Sequence, residues 1–482
     1  MKKKYVRWTL WTIASPFILF IILCILIYLP PIQNFLVDKA AVYASEATGM
    51  NISVGRISLS FPLNLVVTNV DAASLHNDTL LSVRRLQVNV QLLPLLKKQV
   101  EVDGISLQGA TVNSNDLIHG MKLNGTLGEL FISSHGVALD PETAIVNKVL
   151  LKDTDLSLCL NDTAAADTAA SDTTYWKIIL QDIDLQNVSF ALDMPLDSLS
   201  LAASLDNAIL RDGLIDLHKS AYSLQTFRIE NGRVRYDNGK PLAADSLSSG
   251  LDPSHIALTD IGVKLDSLYY GGRNMKAIIS QFVLKERSGV EIVSATGRMV
   301  SNDKVLRVPS LKLETRDSYL ELNAAMDWNA LDFKGEGLMS ARLMADIGKP
   351  DVVRFMGRMD EKFVRQYPSE PLRIRTGIDG DLNKLKLTTL TAELPGALGL
   401  FARGELTHLT DSLLRGGDIT LEAETKDLKF VSTLAEGIEI PYGTRLEGKF
   451  TMAGAKMGTD LLLMQPEAQA VAAADTIPIT VY

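Results

Sequence analysis

The residues able to do chemistry are few and scattered. His76, His119, His135, His218, His255 and His408 stand alone, with no His-x-His or His-x-x-x-His spacing, so metal ligation is not expected of them. Asp379, Asp381 and Asn383 imitate the opening of a calcium loop, but Lys384 fills the position that needs glycine and Leu390 the one that needs glutamate. No glycine loop ending in Gly-Lys-Ser/Thr and no Gly-x-Ser-x-Gly elbow occurs. Cys24 and Cys159 are too few for a cysteine metal site and too differently placed for an expected disulfide. The expectation is a non-enzyme with no cofactor and no metal.

What the side chains do offer is apolar solvation. Leu86, Val88, Val90 and Leu92 alternate with Arg85, Gln87, Asn89 and Gln91, which gives a strand with one greasy face. Ile105 and Leu107, Ile183 and Leu185, and Val188 and Phe190 repeat the pattern. These ten positions are the candidate lining of a hydrophobic surface.

The elements that carry them read as sheet nearly throughout. The period of two begins with Ile57, Leu59, Phe61, Leu63 and Leu65 and recurs to Ile419 and Leu421. Asn231-Gly232, Asp237-Asn238-Gly239, Gly271-Gly272 and Gly416-Gly417 read as turns between consecutive antiparallel hairpins. A strand, then Gly or Asn, then another strand recurs in GISLQGATV, DIDLQNVSF and FRIENGRVRY. After the first fifty residues the main helix expected is Pro350 to Arg365. Residues 161–174, NDTAAADTAASDTT, form a polar low-complexity tract that reads as a loop tip or a linker. The tail after Pro466 has no capping pattern and reads as part of a longer body.

Charge and the N-terminus set the compartment. The formal charge is -9, and Lys and Arg cluster only at the extreme N-terminus, which argues against a nucleic-acid-binding body. Lys2, Lys3, Lys4 and Arg7 precede a stretch from Trp8 to Leu29 without any charge. That length makes about 33 Å of helix, enough to span a bilayer. Trp8, Trp11 and Tyr28 lie near its ends, and the basic flank predicts a cytoplasmic N-terminus. The apolar core is longer than that of a cleaved signal peptide and ends in Pro30-Pro31, so an uncleaved anchor is expected. An amphipathic segment follows over 32–48, either capping a sheet or resting on the membrane surface. The expected organisation is thus a basic terminus at 1–7, an anchor at 8–29, that helix, sheet over 51–160, the tract at 161–174, and further repetitive sheet over 175–482.

A sheet with one apolar face must cover it with a second sheet, by closing into a barrel, with helices, or with something that is not protein. Helices are too few here. A sandwich and a long apolar trough are both open at this point, and a trough beginning at a bilayer suits acyl chains, each buried CH₂ contributing about 0.8 kcal/mol.

The residues PPIQNFLVDKAAVYASEATGMNISVGRISLSFPLNLVVTNV and LLSVRRLQVNVQLLPLLKKQVEVDGISLQGATV resemble the N-terminal part of the AsmA-like superfamily, in particular the TamB translocation and assembly module proteins. The likeness runs from Pro30 to Val112: a helix, a glycine before the first strand, a strand entering near Phe61-Pro62, and paired strands around an LLP turn. It implies a mainly β fold of the β-taco kind, an elongated antiparallel U-shaped sheet with an apolar groove. It further implies a protein anchored in the inner membrane whose periplasmic body conducts phospholipids toward the outer membrane. An outer-membrane barrel partner of the Omp85 type and a role as scaffold or chaperone in outer-membrane protein assembly are the family's other implications. The longer body and C-terminal domain of TamB proteins do not appear in this sequence. Three classes of function follow: a lipid-conducting groove, a scaffold that captures client strands at sheet edges, and a plain anchored structural protein.

Overall fold

The computed structural model describes residues 39, 41–42, 45–46, 50–60, 64–74, 79–91, 102–114, 121–138, 142–161, 175–239, 250–331, 337–357, 359–434, 442–453, 456–464 and 476–481. The expected anchor at 8–29, its basic flank and Leu92 lie outside them. Of the expected helix at 32–48 only Lys39, Ala41, Val42, Ser45 and Glu46 are described, all helical, and the Ser45 hydroxyl accepts from the Ile52 amide at 3.0 Å. Among the described residues no helix is long and apolar enough to cross a membrane.

The chain divides into two compact units, Met1–His218 and Lys219–Tyr482. In the first, alternating Leu, Val and Ile build eight strands: β1 (Asn51–Ser60), β2 (Asn64–Ala73), β3 (Thr79–Val90), β4 (Val102–Asn113), β5 (Met121–Ala138), β6 (Thr143–Leu160), β7 (Lys177–Met194) and β8 (Leu199–Asp216). Each pairs with the next, antiparallel except between β6 and β7.

That parallel pair corrects the expectation of hairpins alone. Thr143 to Cys159 meet Lys177 to Asp193 at a constant offset of 34 residues. Leu160 therefore lies at the opposite strand end from Lys177, so β6 and β7 are not the two arms of a hairpin. Residues 162–174 themselves lie outside the described set.

The second unit holds β9 (Ala221–Leu224), β10 (Thr226–Asp237), β11 (His255–Gly271), β12 (Asn274–Glu286), β13 (Glu291–Ser301), β14 (Val305–Thr315), β15 (Tyr319–Asp327), β16 (Met339–Ile347), β17 (Leu372–Gly380), β18 (Lys384–Leu394), β19 (Leu398–Thr407), β20 (Gly416–Thr425), β21 (Arg445–Ala453), β22 (Lys456–Met464) and β23 (Thr476–Val481). From β10 onward each strand pairs antiparallel with the next, and β9 pairs with the end of β11.

Two expected turns are corrected here. Asn231-Gly232 does not reverse the chain: Asn231 sits at φ 55° inside β10, where the pairing with β11 shifts register. An αL residue can bulge a strand as well as end one. Gly416-Gly417 opens β20, and the turn before it is made by residues 408–415.

The expected helix over 350–365 is two helices, α1 (Lys349–Phe355) and α2 (Glu361–Gln366). Pro350 occupies the first turn of α1 as expected, Gly357 follows it at φ 73°, and the Asp360 side chain caps α2 by accepting from the Lys362 amide. Phe363 (1% exposed), Tyr367, Leu394, Ala397, Leu428 and Phe430 form a packed cluster there. Asp351 (1% exposed) locks α1 to the β14–β15 turn: its carboxylate accepts from Thr315 and Ser318 and pairs with Arg354, which also reaches Asp317 at 3.0 Å.

Candidate functional site

Directly paired residues of neighbouring strands lie on the same face, so the register can be followed across the first unit as rows. One row is Leu59, Leu65, Val88, Ile105, Ile132, Val149, Ile183 and Leu210. The next on that face is Ile57, Val67, Leu86, Leu107, Leu130, Leu151, Leu185 and Ala208. Every member of both is apolar. On the other side of the ladder, the row between these two, Ser58, Val66, Gln87, Ser106, Phe131, Leu150, Asp184 and Ile209, is mixed, whereas the row beyond Ile57 to Ala208, namely Arg56, Thr68, Arg85, Gln108, Glu129, Lys152, Gln186 and Asn207, is wholly polar.

Beyond that polar row the ladder skips one residue on every strand: Gly55, Asn69, Arg84, Gly109, Gly128, Asp153, Asn187 and Asp206. The skipped positions form one line across all eight strands. Asn69, Gly109, Asp153 and Asn187 take φ of 53°, 60°, 49° and 51°, a region that Gly, Asn and Asp tolerate best. Backbones approach closely along the line: a Cβ at Gly128 would stand 2.8 Å from the Asp153 Cβ. Asn187 Nδ2 donates to Asp153 Oδ1 at 2.9 Å, bridging the parallel pair.

Past this crease the apolar positions change parity. On β7 they are Ile183 and Leu185 before it, and Val188 and Phe190 after it. The parity changes at the skipped residue, where four of the eight strands take a left-handed φ. The rows resume as Val54, Val70, Val83, Ala110, Leu127, Thr154, Val188 and Leu205, then, after a polar row from Ser53 to Ser204, as Ile52, Ala72, Leu81, Val112, Gly125, Leu156, Phe190 and Ala203.

The structure thus places eight of the residues singled out in the sequence in these rows. Leu86 pairs with Leu107 and Val88 with Ile105, Ile183 and Leu185 share their rows, and Val188 and Phe190 lie across the crease. Val90 ends β3 opposite Val102, after a register shift. Sequence reasoning treated the αL positions as breaks between strands. GISLQGATV and DIDLQNVSF are each one strand, kinked at Gly109 and Asn187. The signal was present in the parity change itself.

This apolar side is not packed away. Among the described residues of the first unit the buried hydrophobic side chains are Ala72, Leu80, Val83 and Ala208, while Ile105, Leu81 and Phe190 are 37%, 37% and 38% exposed.

No family model, no curated protein and no solved structure matches the chain.

The carboxylates and histidines with candidate spacing or burial are engaged in turns and cross-strand pairs. Asp381 Oδ1 accepts from the amides of Asn383 and Lys384 at 2.8 and 2.7 Å, and Asp379 pairs with Arg342 at 2.7 Å. His255 is buried at the start of β11, its Nδ1 2.9 Å from Asp252 Oδ2. That hydrogen bond, with the Ser254 amide, holds the Asp252 carboxyl below the usual carboxylate range.

Proposed function

We propose that the first unit folds along its crease into a β-taco trough that carries phospholipid acyl chains, on a body anchored in the inner membrane and extending into the periplasm. The observation that carries this reading is the pair of apolar rows, unbroken across eight strands and left partly open to solvent. The rows run across the strands, so a trough creased along the skipped line would be apolar along its length on both walls. Eight strands at about 4.8 Å offer on the order of 34 Å of such lining. A lipid stepping from one strand to the next exchanges Leu, Val and Ile for Leu, Val and Ile, so no deep well holds it. The charge-free stretch from Trp8 to Leu29 supplies the anchor, and the likeness of Pro30 to Val112 to AsmA-like proteins supports the same assignment. No residue is assigned a catalytic role.

The test is a photocrosslinking amino acid placed in the full chain in cells at Leu107 or Val149, and for contrast at Gln108 or Lys152. Phospholipid adducts are expected at the first two and not at the second two. Val88→Asp should lower the adduct at Leu107 by about tenfold or more, because a carboxylate in an apolar row costs several kcal/mol. Equal adducts on both faces, or protein adducts alone, would sink the trough and favour a scaffold for client proteins.

A further inference from the structure

A second surface, on the polar side of the other unit, carries chemistry that the trough does not use. Arg228 on β10 and Lys264 on β11 are direct cross-strand partners, and Lys264 is in turn the partner of Gln281 on β12. Like charges facing each other across a ladder repel. Among the described residues neither cation has a carboxylate ion-pair partner, although ion pairs are plentiful on neighbouring strands, such as Lys285 with Asp260 at 2.8 Å. The three side chains border an open cavity of about 360 Å³, lined also by Ile229, Glu230, Gly262 and Val263. The strands are irregular there, with register shifts at Ile229/Gly232 and Thr259/Gly262.

We infer that Arg228, Lys264 and Gln281 form a site for a phosphate group. Two cations one strand apart match the charge of a phosphate, the guanidinium can present two parallel N–H donors to its oxygens, and the Gln281 amide adds a neutral donor. An anion there relieves the repulsion that the like-charged pair otherwise carries. Glu230 lies at the rim and limits how much negative charge the cavity takes, so removing it should tighten binding. The site stands on this geometry alone and does not depend on lipid in the trough, because all its residues belong to the second unit and the trough is built from the first. The phosphate has two possible sources, a free phosphate ester and a lipid headgroup.

Calorimetric titration of inorganic phosphate into the detergent-solubilised full chain tests the site. Wild type should bind, Arg228→Gln and Lys264→Gln should each weaken binding about tenfold or more, and Glu230→Gln should strengthen it. Arg228 and Glu230 are exposed and Lys264 is half-buried, and an unchanged circular dichroism melt verifies the fold of each variant. Repeating the titration in mixed micelles doped with phosphatidic acid separates the sources: competition assigns a headgroup, and its absence a free phosphate. Failure of wild type to bind phosphate, or equal binding by wild type and both cation variants, would overturn the site.

Discussion

The two units solve the same problem in different ways. Both are sheets of consecutive strands with alternating apolar positions. In the first, the irregular residue falls at one line on every strand from Gly55 to Asp206. In the second, register shifts occur at different heights on β10–β11, β13–β14 and β17–β18, while β15–β16, β16–β17 and β19–β20 pair without any. An aligned row of kinks bends a whole sheet together, whereas scattered bulges absorb twist strand by strand. The first unit leaves its apolar side half-open; the second gathers α1, α2 and three strand ends around Phe363 in a packed cluster at one rim of its sheet. The contrast teaches that regular alternation need not imply a packed core.

The largest expected difference follows from that contrast. Phe363 meets Tyr367 and Phe430 with ring centroids 5.5 and 5.8 Å apart, in full burial. Phe363→Ala should destabilise the second unit by about 3 to 5 kcal/mol. Leu107→Ala, in a half-open row, should cost the first unit only about 1 kcal/mol. Urea midpoints of the two variants measure both, and equal losses would break the distinction between a packed rim and an open face.

The crease gives the next effect. Asn187→Val puts a β-branched side chain at φ 51° and should cost about 1 to 3 kcal/mol, while Asn187→Gly keeps the backbone and loses only the bond to Asp153. The difference between the two isolates the backbone requirement. Hydrogen exchange on β6 and β7 should report it locally, and equal behaviour of the two variants would mean that the αL conformation at Asn187 carries no weight.

Strand content and the apolar positions could be read before any coordinates, because period-two alternation is local: Leu86 to Val90 and Ile183 to Phe190 state their face residue by residue. Two features could not be read that way. Asn231-Gly232 and Gly109 have the composition of turns, and a local pattern does not say whether an αL residue reverses a strand or kinks it; the aligned partners on neighbouring strands decide. The parallel pairing of β6 with β7 was equally hidden, since it depends on a 34-residue offset. The rim core was half visible. Pro350 marked its helix, but Phe430 and Leu428 lie in a loop far along the chain, and only the fold brings them to Phe363.

The smallest expected effect separates the units by pH. Burial in the rim cluster pushes the Tyr367 hydroxyl above its ordinary value of 10.0, because the phenolate loses hydration there. A raised folded-state value means the neutral form is favoured in the fold. The contribution is therefore fully present below pH 10.0 and is lost as pH rises through the folded-state value. Denaturation midpoints of the second unit should fall more steeply above that pH in wild type than in Tyr367→Phe, and the first unit should show no difference between the two proteins. Absorbance at the tyrosinate band should show one late-titrating group that the variant lacks. If Tyr367→Phe leaves both the alkaline slope and the titration unchanged, the rim cluster admits water and the second unit is as open as the first.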